Sequence, residues 1–202
     1  MSKQSKKIEE RGGVLIIFFV ALLAIMEVLN NSFEKQITNA DNNEVSYSDW
    51  YNAKSIKQVM KENERDFLAA LLSTGLMDRD HSSVLKEKID KTKELIIKYE
   101  AEKTEILMGS ANIPPSSWAQ DLDGEMGKIT GLREWREISR KLKDTVGKIN
   151  LGILFLQISV VFGVVCLIIQ ENVKLQKTFT LLMLAAGMIG IVLSLYGYAS
   201  SL

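Results

Sequence analysis

Three apolar runs stand out along the chain, at 14–29, 149–169 and 178–199, and charge fills the stretch between the first and the second. The second and third runs contain no Asp, Glu, Lys or Arg. At about 1.5 Å of rise per residue, each is as long as a hydrocarbon core of about 30 Å is thick. The first run spans only about 24 Å and carries Glu27 near its end, but Gly12, Gly13 and Phe33 can extend it. The pattern predicts transmembrane helices at 14–30, 148–170 and 178–199. A tail at 1–13, a soluble domain at 31–147 and a hairpin loop at 171–177 complete the chain. A cleaved signal peptide is the competing reading of the first run, because Lys3, Lys6, Lys7 and Arg11 precede a short apolar stretch. No Ala-x-Ala follows it, which favours a retained anchor.

The middle of the chain carries helical periodicity and no sustained period-two alternation. Ser46-x-x-Asp49 has the form of a capping box, followed by Tyr51, Ile56, Val59, Met60, Phe67 and Leu71. That helix is expected to end near Gly75, and the polar stretch 39–43 predicts a break before it. After a turn at 77–81, with Ser82 and Ser83 as candidate N-caps, Leu85, Ile89, Thr92, Ile96, Tyr99, Lys103 and Ile106 form a heptad seam. The adjacent Pro114 and Pro115 break the pattern. Ser117-x-x-Gln120 predicts a short helix carrying Trp118, Leu122 and Met126. From Thr130 an amphipathic stripe (Leu132, Trp135, Ile138, Leu142, Thr145) runs into the second apolar run, predicting one helix that leaves the soluble domain and enters the bilayer. The expected fold is all-α: three transmembrane helices with an antiparallel helical bundle or coiled coil inserted between the first and second.

Charge refines this picture. The chain holds 25 basic and 25 acidic residues. Within 31–147 there are 18 basic and 21 acidic residues, a balance of 18 − 21 = −3. Such neutrality argues against a nucleic-acid partner. Lysines and acids interleave at 86–103, which reads as a solvated helix face with i,i+4 pairing. Lys3, Lys6, Lys7, Arg11, Lys174 and Lys177 share one side of the membrane and, by the positive-inside rule, favour a cytoplasmic N-terminus with the soluble domain outside. Arg133, Arg136, Arg140, Lys141, Lys143 and Lys148 form a rival cluster on the opposite side. A single cysteine, Cys166, excludes an intramolecular disulfide.

Several stretches resemble a known family. Trp50-Tyr51-Asn52-Ala53-Lys54-Ser55-Ile56-Lys57-Gln58 is similar to the W-x-Y-x-A-K-S-I-K-Q segment of a bacterial membrane-protein family catalogued as domain of unknown function 4337. The charged helix at 97–106, the segment 154–161 and the region 190–197 match it in the same order. The resemblance implies a three-pass membrane protein of the bacterial inner membrane with a helical insert, and no chemistry. The Pro-Pro segment within 113–128 departs from the family pattern.

The candidate chemistry is sparse. His81, with Asp78 and Asp80, has metal-ligand residue types but fits turn and cap chemistry better. Cys166, deep in an apolar helix, reads as a small packed residue rather than a reactive thiol. No phosphate-binding loop, paired-cysteine motif or metalloprotease motif is present. Glu27 is either interfacial or part of an intramembrane polar contact. Gln157 is a candidate interhelical hydrogen-bond donor, and Ser159, Gly163, Ala186, Gly190 and Ser194 are candidate helix-packing positions. Trp50, Tyr51 and Lys54 form either a recognition surface or an anchored helix start. These features predict a non-enzymatic membrane protein without cofactor, metal or identified small-molecule substrate. It would act through helix-mediated assembly with copies of itself or with a membrane-protein partner. An oligomeric channel or transporter component, and a sensor signalling through a partner, are the alternatives.

Overall fold

The computed structural model describes residues 3–75, 78–118, 126–169 and 172–200, with side chains from residue 8 onward. Four α-helices account for nearly all of it: α1 (Lys3–Ser73), α2 (Arg79–Met108), α3 (Leu132–Ile168) and α4 (Val173–Ala199). No strand occurs among the described residues. Three of these helices, α1, α3 and α4, are long and apolar enough to cross a membrane.

α1 is one continuous helix of 71 residues, so the break expected at 39–43 does not form. Asn and Asp are mediocre helix formers, but each costs well under about 1 kcal/mol relative to Ala, and the stretch contains neither Gly nor Pro. Ala40 is buried, which anchors it. Ser46 and Asp49 accordingly lie in mid-helix and form no capping box. α1 ends at Ser73 and is followed by Gly75 at φ +66°, a left-handed conformation suited to glycine.

The N-cap of α2 is Asp78, whose carboxylate accepts from the backbone N–H of His81, rather than Ser82 or Ser83. His81 is thereby committed to the helix start, its ring nitrogen paired with the same carboxylate. A 3₁₀ turn at Pro115–Ser117 stands where the short helix was expected to begin. Trp118 is extended and Met126 lies in a turn, so neither is helical, and the stretch between them, with Leu122, lies outside the described residues. α3 runs unbroken from Leu132 to Ile168, as its stripe predicted. α4 begins at Val173 with Asn172 as N-cap, inside the expected hairpin loop.

The chain divides into two compact units. One comprises Met1–Thr38 with Ser139–Leu202, and the other Asn39–Ile138. The core of the first centres on Phe19, Leu156 and Met183. That of the second centres on Ile106 and Ile129, packed by Tyr47, Trp50 and Tyr51.

Candidate functional site

Two regions gather the residues singled out by the sequence. In the charged unit, the heptad seam of α2 is used within the chain: Ile89, Thr92, Ile96 and Ile106 are buried. Opposite polar contacts tie α1 to α2. The Lys54 ammonium lies 2.5 Å from Glu102 Oε2, and Glu102 is fully buried. At this distance the ammonium is the counter-charge of the buried carboxylate. Lys54 also sits over the Tyr99 ring at 5.7 Å, and Lys103 over the Tyr51 ring at 5.2 Å. Lys103 donates to Gln58 at 3.1 Å. Trp50 and Tyr51, with Lys54, are thus half-buried clamps on α2 rather than an open recognition surface.

The sequence missed the carboxylates that α2 buries. Glu102 and Glu105 fall within or beside a stretch read as solvated. α2 is covered on more than one side near its end, by α1 and by the chain that follows it. Glu105 accepts from the Ser110 hydroxyl at 2.6 Å, and that hydroxyl accepts from the Ile129 backbone N–H at 2.8 Å. Trp118 Nε1 donates to the Ser110 carbonyl at 3.0 Å, and its ring lies on Gly127. Glu134 accepts from the Gly131 N–H and from Asn112, both at 2.7 Å. These bonds fold the segment around Pro114 and Pro115 back onto α2. Buried polar groups need such partners, because each one left unsatisfied costs about 1–3 kcal/mol. A spacing of three, Glu102 to Glu105, on a helix whose other acids point outward offers no signal by itself.

Burial pushes the Tyr47 phenol above its ordinary value of 10, and the nearby Trp135 indole N–H opposes this in part. In the unfolded chain the phenol ionises first. The stability linked to Tyr47 is therefore intact below about pH 10 and is lost as the pH rises beyond it. The ultraviolet difference titration between the wild type and Tyr47→Phe is expected to have its midpoint above 10. A midpoint at or below 10 would place Tyr47 in solvent.

An open cleft of about 690 Å³ in this unit is lined by Met108, Asn112, Lys128, Ile129, Arg133 and Glu137, among others. Its rim carries both signs of charge and selects no ligand class. Among the described residues, no group of three or more His, Cys, Asp or Glu side chains is placed to hold a metal.

In the apolar unit, small residues set how closely the helices approach. Ser159, Gly163, Ala186, Gly190 and Ser194 are all buried. A Cβ added at Gly163 would meet Ile16 of α1, and Met183 Sδ of α4 at 2.8 Å. One added at Gly190 would lie 2.8 Å from the Gly152 carbonyl. The Ser159 hydroxyl donates to the Met183 carbonyl at 2.8 Å. Gly152 and Gly187 belong to the same packing and were not singled out, though Gly152 sits seven residues before Ser159 on the same face of α3. Gly187 receives the Phe19 ring. Cys166 is buried, with Sγ 3.4 Å from the Gln176 carbonyl and 3.2 Å from the Thr180 hydroxyl.

Two candidates behave differently. Gln157 is exposed, and no hydrogen bond joins it to another helix among the described residues. The face of α3 that meets its neighbours carries Gly152, Leu156, Ser159 and Gly163, and Gln157 points away from it. Glu27 is likewise exposed on α1.

These features define an all-helical protein with three helices long and apolar enough to cross a membrane, and a charged helical unit between the first two. The chain belongs to the family described as Domain of unknown function (DUF4337), whose model matches residues 8–200. No curated protein and no solved structure matches it.

Proposed function

We propose that this protein is a non-enzymatic, three-pass membrane protein that acts by assembling with copies of itself, as a homo-oligomeric scaffold or accessory subunit. In this reading the N-terminus is cytoplasmic, the charged unit lies on the far side of a bacterial inner membrane, and the apolar helices are solvated by lipid.

The observation that carries the proposal is an open apolar face on α1 within the charged unit. Because α2 packs against Trp50, Tyr51 and Lys54, the other side of α1 is left uncovered. There Ile56, Val59, Met60 and Phe67 are 62%, 53%, 64% and 63% exposed. Ile56, Met60, Asn63 and Phe67 follow 4, 3, 4 spacing, the seam of a helix pair. Contiguous apolar patches on a soluble surface mark interaction sites. A single Asn in such a seam is a known device for fixing register and oligomeric state. Confinement of α1 to a membrane would orient every copy alike and raise the local concentration of this face.

Light scattering coupled to size exclusion of the detergent-solubilised full chain tests the proposal. The wild type is expected to contain two or more copies. Met60→Glu with Phe67→Glu is expected to shift it toward one copy without loss of helicity, since neither side chain is needed inside the unit. A wild type that is monomeric in detergent and uncross-linked in native membrane would refute it.

A further inference from the structure

We propose that Glu27 of one copy accepts a hydrogen bond from the Gln157 carboxamide of a second copy, inside the membrane. This contact rests on the self-assembly reading above and gives it a specific site. Glu27 and Gln157 are both exposed on the apolar unit, on α1 and α3. No hydrogen bond joins them within one chain among the described residues.

Their levels follow from the packing. Leu167 is the neighbour of Gly12, and Ile16 is the neighbour of Gly163. The sums 12 + 167 and 16 + 163 are both 179, so α1 and α3 run antiparallel and residue n of α1 lies level with about 179 − n of α3. Glu27 is therefore level with Gly152, and Gln157 with Leu22. The two lie about five residues apart in depth, or about 7.5 Å. Helical side chains tilt toward the N-terminus of their own helix. In an antiparallel pair the two tilts oppose each other: Glu27 leans toward the level of Leu22, and Gln157 toward that of Gly152. Two long side chains thus converge on a common level.

The other end of the unit fixes how deep that level is. The Phe33 and Tyr198 rings pack at 6.3 Å, and Lys148 sits over the Tyr196 ring at 5.2 Å. Aromatic and basic residues together mark a membrane interface. Glu27 lies six residues, about 9 Å, below Phe33, and Gln157 nine residues, about 13.5 Å, below Lys148. Gln157 is inside the apolar band, where lipid offers neither a donor nor an acceptor, and Glu27 lies at its edge, within one turn of Asn30 and Asn31.

A second copy fits better than any other occupant, because each chain carries both halves of the bond. Glu27 supplies an acceptor and Gln157 two donors, on the outward surfaces of different helices. Contact between unlike surfaces is heterologous, and its repetition closes a ring when the rotation allows.

Cross-linking in native membranes with a bifunctional thiol reagent long enough to span this offset tests the contact, because Cα atoms more than about 7 Å apart cannot be joined by a direct disulfide. Differently tagged Glu27→Cys and Gln157→Cys chains, each also Cys166→Ala, are co-expressed. A reagent-bridged link is expected between the two chains, and not with either variant alone or with Ile25→Cys in place of Glu27→Cys. Equal cross-linking by Glu27→Cys alone, or by the Ile25 control, would overturn the pairing. If lysine cross-linking shows assembly but the cysteine pair stays silent, the contact is wrong and assembly stands. If both are silent, the assembly reading fails as well. In a lipid-dilution energy-transfer assay, Gln157→Leu is expected to weaken association about three- to fifteen-fold, while Glu27→Gln, which keeps an acceptor, retains it. Unchanged association in Gln157→Leu would also overturn the contact.

Discussion

Gly152→Ala is expected to destabilise the apolar unit by about 3 kcal/mol, although Gly-to-Ala in a helix interior ordinarily stabilises by about 0.5–1 kcal/mol. The added Cβ would lie 2.7 Å from the Gly190 carbonyl and 2.8 Å from the Ser194 backbone nitrogen, and would also strike the Ser194 hydroxyl. Backbone cannot swing aside as a flexible side chain does, so α3 and α4 must separate. Their separation exposes Leu156 and Met183 and loosens the Ser159 hydroxyl from the Met183 carbonyl. Gly147, on the same helix, has nothing within 4 Å of an added Cβ. Gly147→Ala should therefore hold or gain stability, and the opposite signs of the two variants are the test. The buried Cys166 is the chain's one thiol, so its reaction with a thiol-specific fluorophore during heating reports on this unit. Gly152→Ala should label at a lower temperature than the wild type. Equal labelling temperatures for both variants would mean that α3 and α4 do not meet at these glycines.

Lys54→Met is expected to be the most damaging single change in the charged unit, at about 3–5 kcal/mol, because it leaves the Glu102 carboxylate buried and alone. The double variant Lys54→Met with Glu102→Leu should recover most of that loss, since a buried ion pair replaced by apolar side chains of similar size is often near neutral. The loss of Lys54 also removes its contact with the Tyr99 ring, and this part is not recovered. Trp50, Trp118 and Trp135 are the only tryptophans in the chain and all lie in this unit, so intrinsic fluorescence during denaturation follows it selectively. Additive losses in the double variant would show that Lys54 and Glu102 are not coupled.

The parts of this fold that could be read from sequence are those set by one face of one helix. The apolar runs at 149–169 and 178–199, and the stripe from Leu132 that makes α3 continuous, needed no knowledge of neighbours. The seam of α2 was legible from Ile89 to Ile106, and so was most of the solvated face read beside it. That reading failed at Glu102 and Glu105, where the returning chain with Ser110 and Ile129 covers further sides of the helix. A charge pattern cannot reveal a second neighbour. Continuity of α1 across 39–43 was missed because weak local preferences were weighed without the burial of Ala40. At Ser159, Gly163, Ala186, Gly190 and Ser194, small-residue spacing located the packing. The partner positions Gly152 and Gly187 became clear only when the opposing helices were in place. Gln157 shows the reverse case: a polar residue in an apolar run announces a hydrogen bond without saying whether its partner is in the same chain.

The assembly proposal meets its most direct test in counting copies where they act. The full chain, fused to a photostable fluorophore, is extracted from membranes in native lipid discs at low expression and bleached one particle at a time. Two or more bleaching steps in most particles are expected, with Met60→Glu and Phe67→Glu moving the distribution toward one. Single-step bleaching of the wild-type chain throughout, or its absence from the lipid discs, would contradict a membrane protein that works by self-assembly.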